Sequence, residues 1–270
     1  MTSAVFWWGK HHLALNQRWC WYMGQRAFVI ERRESEWIVS NIETAEESND
    51  ELKSDDCQHT PFNLINEKQQ KKGSVVRYLQ ANTPDTLTIL PYLADRSVIA
   101  RPSHPLHILP GQQVYLYVST PLWFTASVAD IDVKMLDLPF WRPSDSWFGA
   151  SKSDGELCYA KYTDARLELS MIERRPHRAI TPIKIINRHK DTLMIERLNL
   201  PVTLLNLYSD QDGQLWTQSC TITRNANHDA AELDLAKHAP TEATGAKHVV
   251  SPRIKSEKPT LIKSLSSLFA

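Results

Sequence analysis

The residue types that most often bind metal ions stand close together in this chain only as pairs. The pairs are His11-His12, Cys57-x-His59 and His104-x-x-His107. A zinc site needs three or four such ligands and groups that orient them. Residues three apart on a strand point to opposite faces, so His104 and His107 converge only if Pro105 bends the chain. The sequence therefore predicts unrelated surface histidines and no metal site.

Paired carboxylates are the second feature that could carry chemistry. Asp210-Gln-Asp212-Gly213 resembles part of a calcium loop. Such a loop requires further oxygens and a terminal glutamate, which Thr221 and its neighbours do not supply. Asp-Gly between two apolar runs instead predicts a hairpin turn. Asp130 and Asp132 lie two apart on one strand face, where they could do acid–base work. A solvated strand edge that carries acids is the commoner explanation.

Sequence motifs of the common enzyme classes are missing from the chain. It has no G-x-S-x-G, no glycine-rich phosphate loop and no H-E-x-x-H. With only 8 glycines, a tight phosphate-binding loop is a poor fit. The sequence therefore predicts no catalytic residues and no cofactor, and it favours a non-enzymatic protein.

Nine tryptophans keep a stacking site open as an alternative. Trp19 and Trp21 share one face of a strand, as core residues do. Trp7 and Trp8 are adjacent, so in an extended segment one of them faces away from the other. An outward tryptophan there is a candidate for binding a ligand.

The C-terminal tail carries the most specific binding signal. Its apolar residues, which we predict to contact a partner, are Leu261, Leu265, Leu268 and Phe269. Basic residues precede or enter this stripe at Lys247, Arg253, Lys255, Lys258 and Lys263. A basic amphipathic segment can bind a groove on a protein partner or an anionic membrane surface. The alternatives are a frayed tail and a tail that folds back on its own domain.

Alternating apolar residues predict an all-β fold of mostly antiparallel strands with few short helices. Short runs of period 2, rich in aromatic and β-branched residues, recur from the N-terminus to about residue 222. The apolar positions change parity near Val128-Ala129, which predicts a β-bulge or bend there and leaves Asp130 and Asp132 exposed. The strand spacing favours two halves of β-sandwich or immunoglobulin-like type.

Shifts in composition predict four segments. Residues 1–142 form a β-rich half, in which the acidic stretch 43–56 is a mobile loop. The proline-rich stretch 139–149 is a hinge, and residues 143–224 form a second, sandwich-like half. Residues 225–258 read as a polar linker, and residues 259–270 form the short amphipathic tail, with a possible helix from Thr260.

The length of the chain and its balance of charges limit the kind of protein that it can be. The chain has 270 residues, with 31 basic and 31 acidic side chains. Proteins that coat nucleic acid usually carry a positive excess, so this balance argues against such a partner.

Residues 1–12 lack the pattern of a secretory signal, and no window approaches the ~18 apolar residues of a membrane span. Four scattered cysteines are typical of reduced thiols, so we expect a cytoplasmic protein.

One stretch of the chain resembles a known family. Residues 87–124, which include Pro121-Leu-Trp123, together with ITPIKIIN and LPVTLLNLY further on, resemble a prokaryotic family called domain of unknown function family four hundred thirty-two. The resemblance covers roughly residues 8–222 and leaves out the acidic loop and the tail. It implies no activity, because the family has none assigned.

Two classes of function follow from these observations. The leading prediction is a non-enzymatic accessory or regulatory protein, whose β body and tail bind a protein partner or a membrane surface. The alternative is a hydrolase or carbohydrate-binding module with a cleft lined by tryptophans and carboxylates. A flat apolar patch would favour the first class, and a compact cleft the second.

Overall fold

The computed structural model describes most of the chain in ten stretches. They are residues 6–23, 26–44, 58–61, 70–128, 134–141, 143–149, 155–160, 163–226, 230–255 and 260–269. Predicted features at residues 45–56, in the acidic loop, and at Asp130 and Asp132 lie outside the described residues.

Extended backbone dominates these stretches. The strands are, in chain order, β1 (Gly9–His12), β2 (Arg18–Met23), β3 (Arg26–Arg32), β4 (Glu36–Thr44), β5 (Gln58–Pro61), β6 (Gln70–Leu79), β7 (Thr86–Tyr92), β8 (Val98–Pro102), β9 (Leu106–Ile108), β10 (Gln113–Pro121), β11 (Trp123–Val128), β12 (Lys134–Pro139), β13 (Ser144–Gly149), β14 (Gly155–Ala160), β15 (Asp164–Arg166), β16 (Arg178–Asn187), β17 (Leu193–Ile195), β18 (Leu198–Leu200), β19 (Leu207–Ser209), β20 (Leu215–Thr217), β21 (Cys220–Arg224), β22 (Ala230–Leu235), β23 (Lys247–Val250) and β24 (Thr260–Ser264). The helical residues form α1 (Leu265–Leu268) and two 3-10 turns, Leu169–Met171 and Val202–Leu204. Most paired strands are antiparallel, which confirms the predicted all-β class.

Two compact units share the chain. The first comprises Met1–Tyr92 and Trp123–Trp141, and the second Leu93–Leu122 and Arg142–Ala270. The chain passes between the units at 141–142, one position before the predicted boundary, and residues 93–122, predicted in the N-terminal half, lie in the second unit. Strand β10 belongs to the second unit because it pairs with β16 along its whole length, from Gln113 opposite Ile186 to Pro121 opposite Arg178.

The first unit contains two antiparallel sheets, ordered β1-β7-β11-β12 and β5-β2-β3-β4-β6. Both contribute to one apolar core, since Trp21 and Ile30 of the second sheet cluster with Ile89 and Phe124 of the first. Trp19 packs against this cluster, so Trp19 and Trp21 share a face as predicted. The β11–β12 ladder shifts register between Ala126 and Ser127, beside the predicted bulge.

The core of the first unit is unusually rich in aromatic rings. Phe124 lies at its centre, with its ring centroid 4.6 Å from that of Phe28 and 6.0 Å from that of Trp7, both stacked. Trp21 and Phe140 approach Phe124 at 5.5 and 5.7 Å. Such ring pairs stabilise a core beyond the area that they bury.

A thirteen-stranded sheet forms most of the second unit. Its main path is β13-β14-β8-β15-β10-β16-β20-β19-β23, and β18, β21, β22 and β24 pair alongside. Strands β9 and β17 form a separate antiparallel pair. Asp212-Gly213 turns the chain between β19 and β20, as predicted.

The segment 225–258 differs from the predicted linker. It contains β22, which pairs with β21 and β24, and β23, which pairs with β19. Leu233 is fully buried in this sheet. In AAELDL the apolar Ala231 and Leu233 alternate with Glu232 and Asp234, which is the period of a strand with one buried face.

Candidate binding face on the β13–β14 hairpin

One tryptophan stands apart from the other eight. All nine lie within the described part of the chain, and only Trp147 is exposed, at 45%. Trp7, by contrast, is buried and Trp8 is half-buried, so neither of this adjacent pair projects into solvent. Because large aromatic side chains normally fill cores, an exposed tryptophan marks a candidate contact surface.

The local sequence explains how Trp147 reaches the surface. Strands β13 and β14 are antiparallel, with Trp147 opposite Leu157. Successive side chains alternate between faces, so the neighbouring Phe148 points the other way and packs in a buried cluster with Cys158 and Ile99. Burial of Phe148 therefore fixes Trp147 on the outward face.

A glycine supports the indole from below. A Cβ on Gly155 would lie 2.7 Å from the Trp147 Nε1 and 2.8 Å from its Cε2, as well as 2.6 Å from the carbonyl oxygen of Phe148. The indole therefore lies directly on the Gly155 backbone, in space that any other residue would fill. This contact holds one side of the ring, and the side chain is still 45% exposed.

Polar groups lie two residues along the same strand face. Asp145 stands opposite Tyr159, and its Oδ1 accepts a hydrogen bond from Arg96 Nη1 at 3.1 Å. The Arg96 guanidinium also lies 5.3 Å from the centre of the Tyr159 ring, a cation–π distance. Tyr159 itself is buried, so the exposed surface consists of Arg96, Asp145, Trp147 and Leu157, which we call the Trp147 face.

The support from Gly155 can be tested by substitution. Gly155→Ala should displace the indole, because the added Cβ would overlap both the ring and the backbone of Phe148. We expect a shift in tryptophan fluorescence and a loss of stability of roughly 1–3 kcal/mol, the usual cost of overpacking. Ser146→Ala on the opposite face of β13 serves as the control. A Gly155→Ala protein with unchanged emission and stability would show that the indole does not rest there.

The structure places the tail residues that were predicted to bind a partner against the second unit. Leu268 and Phe269 are 2% and 6% exposed, and Phe269 forms a bridge with Leu198. Leu265 is half-buried, and Leu261 lies in β24, which pairs with β22. Asn199 Nδ2 donates to the Ser267 carbonyl oxygen at 3.0 Å. The end of the tail is therefore folded back on the second unit, and its expected exposure to a partner is not seen.

The predicted metal candidates do not come together. His104 and His107 are both exposed, and no three His, Cys, Asp or Glu side chains of the described residues are grouped as a metal site requires. Asp210 is nearly buried and accepts hydrogen bonds from the amides of Asp212 and Gln214. Those two amides donate to Asp210 Oδ1, and Trp216 Nε1 donates to Asp210 Oδ2 at 2.8 Å, so this carboxylate stabilises the hairpin turn.

The three thiols of the described residues and the guanidinium of Arg178 are buried. Cys20, Cys158 and Cys220 are unpaired thiols, and burial raises the pKa of each to about 12, so they are poor nucleophiles at neutral pH. Burial lowers the pKa of Arg178 to about 10. Its Nε donates to Ser119 Oγ at 2.8 Å, which ties the neighbouring strands β16 and β10 together.

Sequence reasoning missed the Trp147 face because it assigned residues 139–149 to a hinge. The signal was present in Ser-Asp-Ser-Trp-Phe-Gly, where Trp147 and Phe148 must face opposite ways on a strand. Which of the two faces solvent depends on Ile99 and Cys158, and these come from distant positions in the chain.

None of the described helices is long and apolar enough to cross a membrane.

Comparison with known proteins yields one positive result. The chain matches no curated protein and no solved structure. The model of the family described as protein of unknown function (DUF432) matches residues 7–269. This match confirms the resemblance seen in the sequence and extends it through the tail. The chain therefore belongs to the DUF432 family.

Proposed function

We propose that this protein is a non-enzymatic accessory or regulatory protein that binds a protein partner through the Trp147 face. The observation that carries the proposal is the indole of Trp147, which lies against Gly155 and is the one exposed tryptophan among the described residues. The apolar end of the tail is not part of the proposed contact, because Leu268 and Phe269 are buried.

The composition of the face supports a protein as the occupant. Tryptophan and arginine are among the residue types most enriched at the energetic centres of protein interfaces. Trp147 and Leu157 form an exposed apolar pair across two strands, and the ion pair of Arg96 and Asp145 lies on the same sheet face. A polar border around an apolar centre is the usual arrangement of a protein interface. The buried, unpaired cysteines support a reducing compartment such as the cytoplasm.

The test compares three versions of the protein. Tagged wild type, Trp147→Ala and a control, Leu109→Ala, are used to capture proteins from membrane and soluble fractions of the native organism. Leu109 is exposed, at 58%, and lies in the same unit but off the Trp147 face. A partner captured by wild type and the control should then be purified, and its Kd should rise at least ~30-fold for Trp147→Ala, as expected at a hot spot of about 2 kcal/mol.

Equal affinity of the purified partner for wild type and Trp147→Ala would overturn the assignment of this face. Thermal unfolding of both variants checks that the comparison is made on folded protein. Since the Trp147 side chain is already partly in solvent, we expect little change in stability on its removal.

A carbohydrate is the second candidate ligand, and one observation favours it. An indole face beside a carboxylate and a guanidinium offers both a stacking platform and groups that hydrogen-bond to hydroxyls. A glycan array probed with wild type and Trp147→Ala separates the candidates. Glycan binding that depends on Trp147, without a protein partner, would establish the carbohydrate function.

A further inference from the structure

The β13–β14 hairpin is joined to the rest of its sheet near one end. Strand β13 lies at the end of the strand order and, among the described strands, pairs with β14 alone. Outside the hairpin, β14 pairs among these strands only with β8, where Tyr159 stands opposite Val98. The Tyr159 amide also donates to the Ser97 carbonyl oxygen at 2.9 Å. The part of the hairpin that carries Trp147 and Gly155 therefore extends beyond this pairing with the sheet.

A buried asparagine of β18 contacts that part of the hairpin. Asn199 is 3% exposed, and its Nδ2 donates to Glu156 Oε1 at 2.5 Å. The Cys158 thiol donates to Asn199 Oδ1 at 3.6 Å. Glu156 and Cys158 flank Leu157 in β14, so their side chains point to the opposite face of the hairpin from Leu157. Because Leu157 stands opposite Trp147, Asn199 holds β14 from behind at the level of the indole.

The end of the tail completes the contacts of the Asn199 amide. Asn199 Nδ2 also donates to the Ser267 carbonyl oxygen in α1 at 3.0 Å. An amide nitrogen carries two hydrogens and no acceptor site, and the carboxylate and the carbonyl oxygen are both acceptors. Only one of the two orientations of the amide therefore satisfies all three partners. The tail and the hairpin together fix the direction in which Asn199 points.

Directional contacts are what the hairpin needs at this position. Phe148 packs in an apolar cluster with Ile99 and Cys158, and this packing holds the hairpin against the sheet. Apolar contact is non-directional, so it resists a small sliding of the strand only weakly. Hydrogen bonds depend on distance and angle, so those of Asn199 define where β14 lies.

We propose, on the basis of the function proposed above, that Asn199 is a positioning residue for the Trp147 face. Its amide holds β14 so that Gly155 and Leu157 present the indole of Trp147 in the orientation that binds the partner. A surface that is already held in its bound form loses less conformational freedom on binding. Asn199 therefore raises affinity without touching the partner.

Fluorine NMR of the full-length protein labelled with fluorotryptophan tests the positioning. The signal of Trp147 is identified by its loss in Trp147→Phe. In Asn199→Ala this signal should shift, because the hairpin is released from its hydrogen bonds on that side. The signal of Trp216 should stay in place, since Trp216 is fully buried in β20 of the same sheet and reports whether the unit is folded.

Two substitutions of Glu156 test the hydrogen bond from the other partner. Glu156→Ala removes the acceptor and should shift the Trp147 signal, whereas Glu156→Gln keeps an oxygen there and should restore the wild-type position. The control is Glu168→Ala, since Glu168 is another exposed glutamate of this unit and accepts from Ser170 Oγ at 3.3 Å. Because Glu156 is exposed, its variants decide the question even if Asn199→Ala fails to fold.

Binding provides the second measurement, with the partner purified in the capture experiment above. Its Kd should rise at least ~5-fold for Asn199→Ala, which is less than for Trp147→Ala because Asn199 makes no contact with the partner. If Trp147→Ala weakens binding and Asn199→Ala does not, the proposed function stands and the positioning role is overturned. A Trp147 signal that stays in place in Asn199→Ala or Glu156→Ala, or an equal shift of the Trp216 signal, overturns that role whatever the Trp147 face binds.

Discussion

Phe124→Ala should lower the free energy of unfolding of the first unit by about 3–5 kcal/mol, the range for large aromatic side chains in well-packed cores. The phenyl ring is fully buried and stacks on Phe28 and Trp7, so its removal leaves a cavity at the meeting point of the two sheets. Urea unfolding followed by circular dichroism and tryptophan fluorescence measures the change. Trp21, at 5.5 Å, should report the altered environment directly.

The matched control for this substitution is Phe6→Ala. Phe6 belongs to the same unit but is 39% exposed, so we expect its loss to change stability much less. Similar losses for Phe6→Ala and Phe124→Ala would contradict the placement of Phe124 at the centre of the core.

Leu268→Ala should lower the free energy of unfolding of the second unit by about 2–5 kcal/mol, as for other buried leucines. The sequence predicts a tail that contacts a partner, and the loss of a leucine from such a tail would leave stability unchanged. The structure buries Leu268 and joins the adjacent Phe269 to Leu198 of β18. Thermal and urea unfolding of the full-length variant provide the measurement.

Leu167→Ala is the control for the tail, because Leu167 is exposed in the same unit. We expect it to unfold like wild type. If Leu268→Ala also unfolds like wild type but releases a captured partner, the tail is a docking segment and its burial in the second unit is incorrect. That result would restore the function first predicted for Leu261, Leu265, Leu268 and Phe269.

Structural features that depend on residues close together in the sequence could be predicted from the sequence alone. Alternation of apolar side chains with period 2 identified the strand content, because each strand must present one face to a core. It placed Trp19 and Trp21 together, and Asp212-Gly213 defined a hairpin because few other residues accept that turn. Family membership was also visible, since it rests on the order of prolines and strands along the chain.

Features that depend on pairing between distant residues required the tertiary structure. The membership of residues 93–122 in the second unit follows from the pairing of β10 with β16, about 65 positions further on. The same is true of the candidate site: Trp147 faces outward because Phe148 packs with Ile99. A local pattern shows which side chains share a face. Only the packing of remote strands decides which of the two faces is buried, and for Trp147 and Leu268 that choice separates a contact surface from a core.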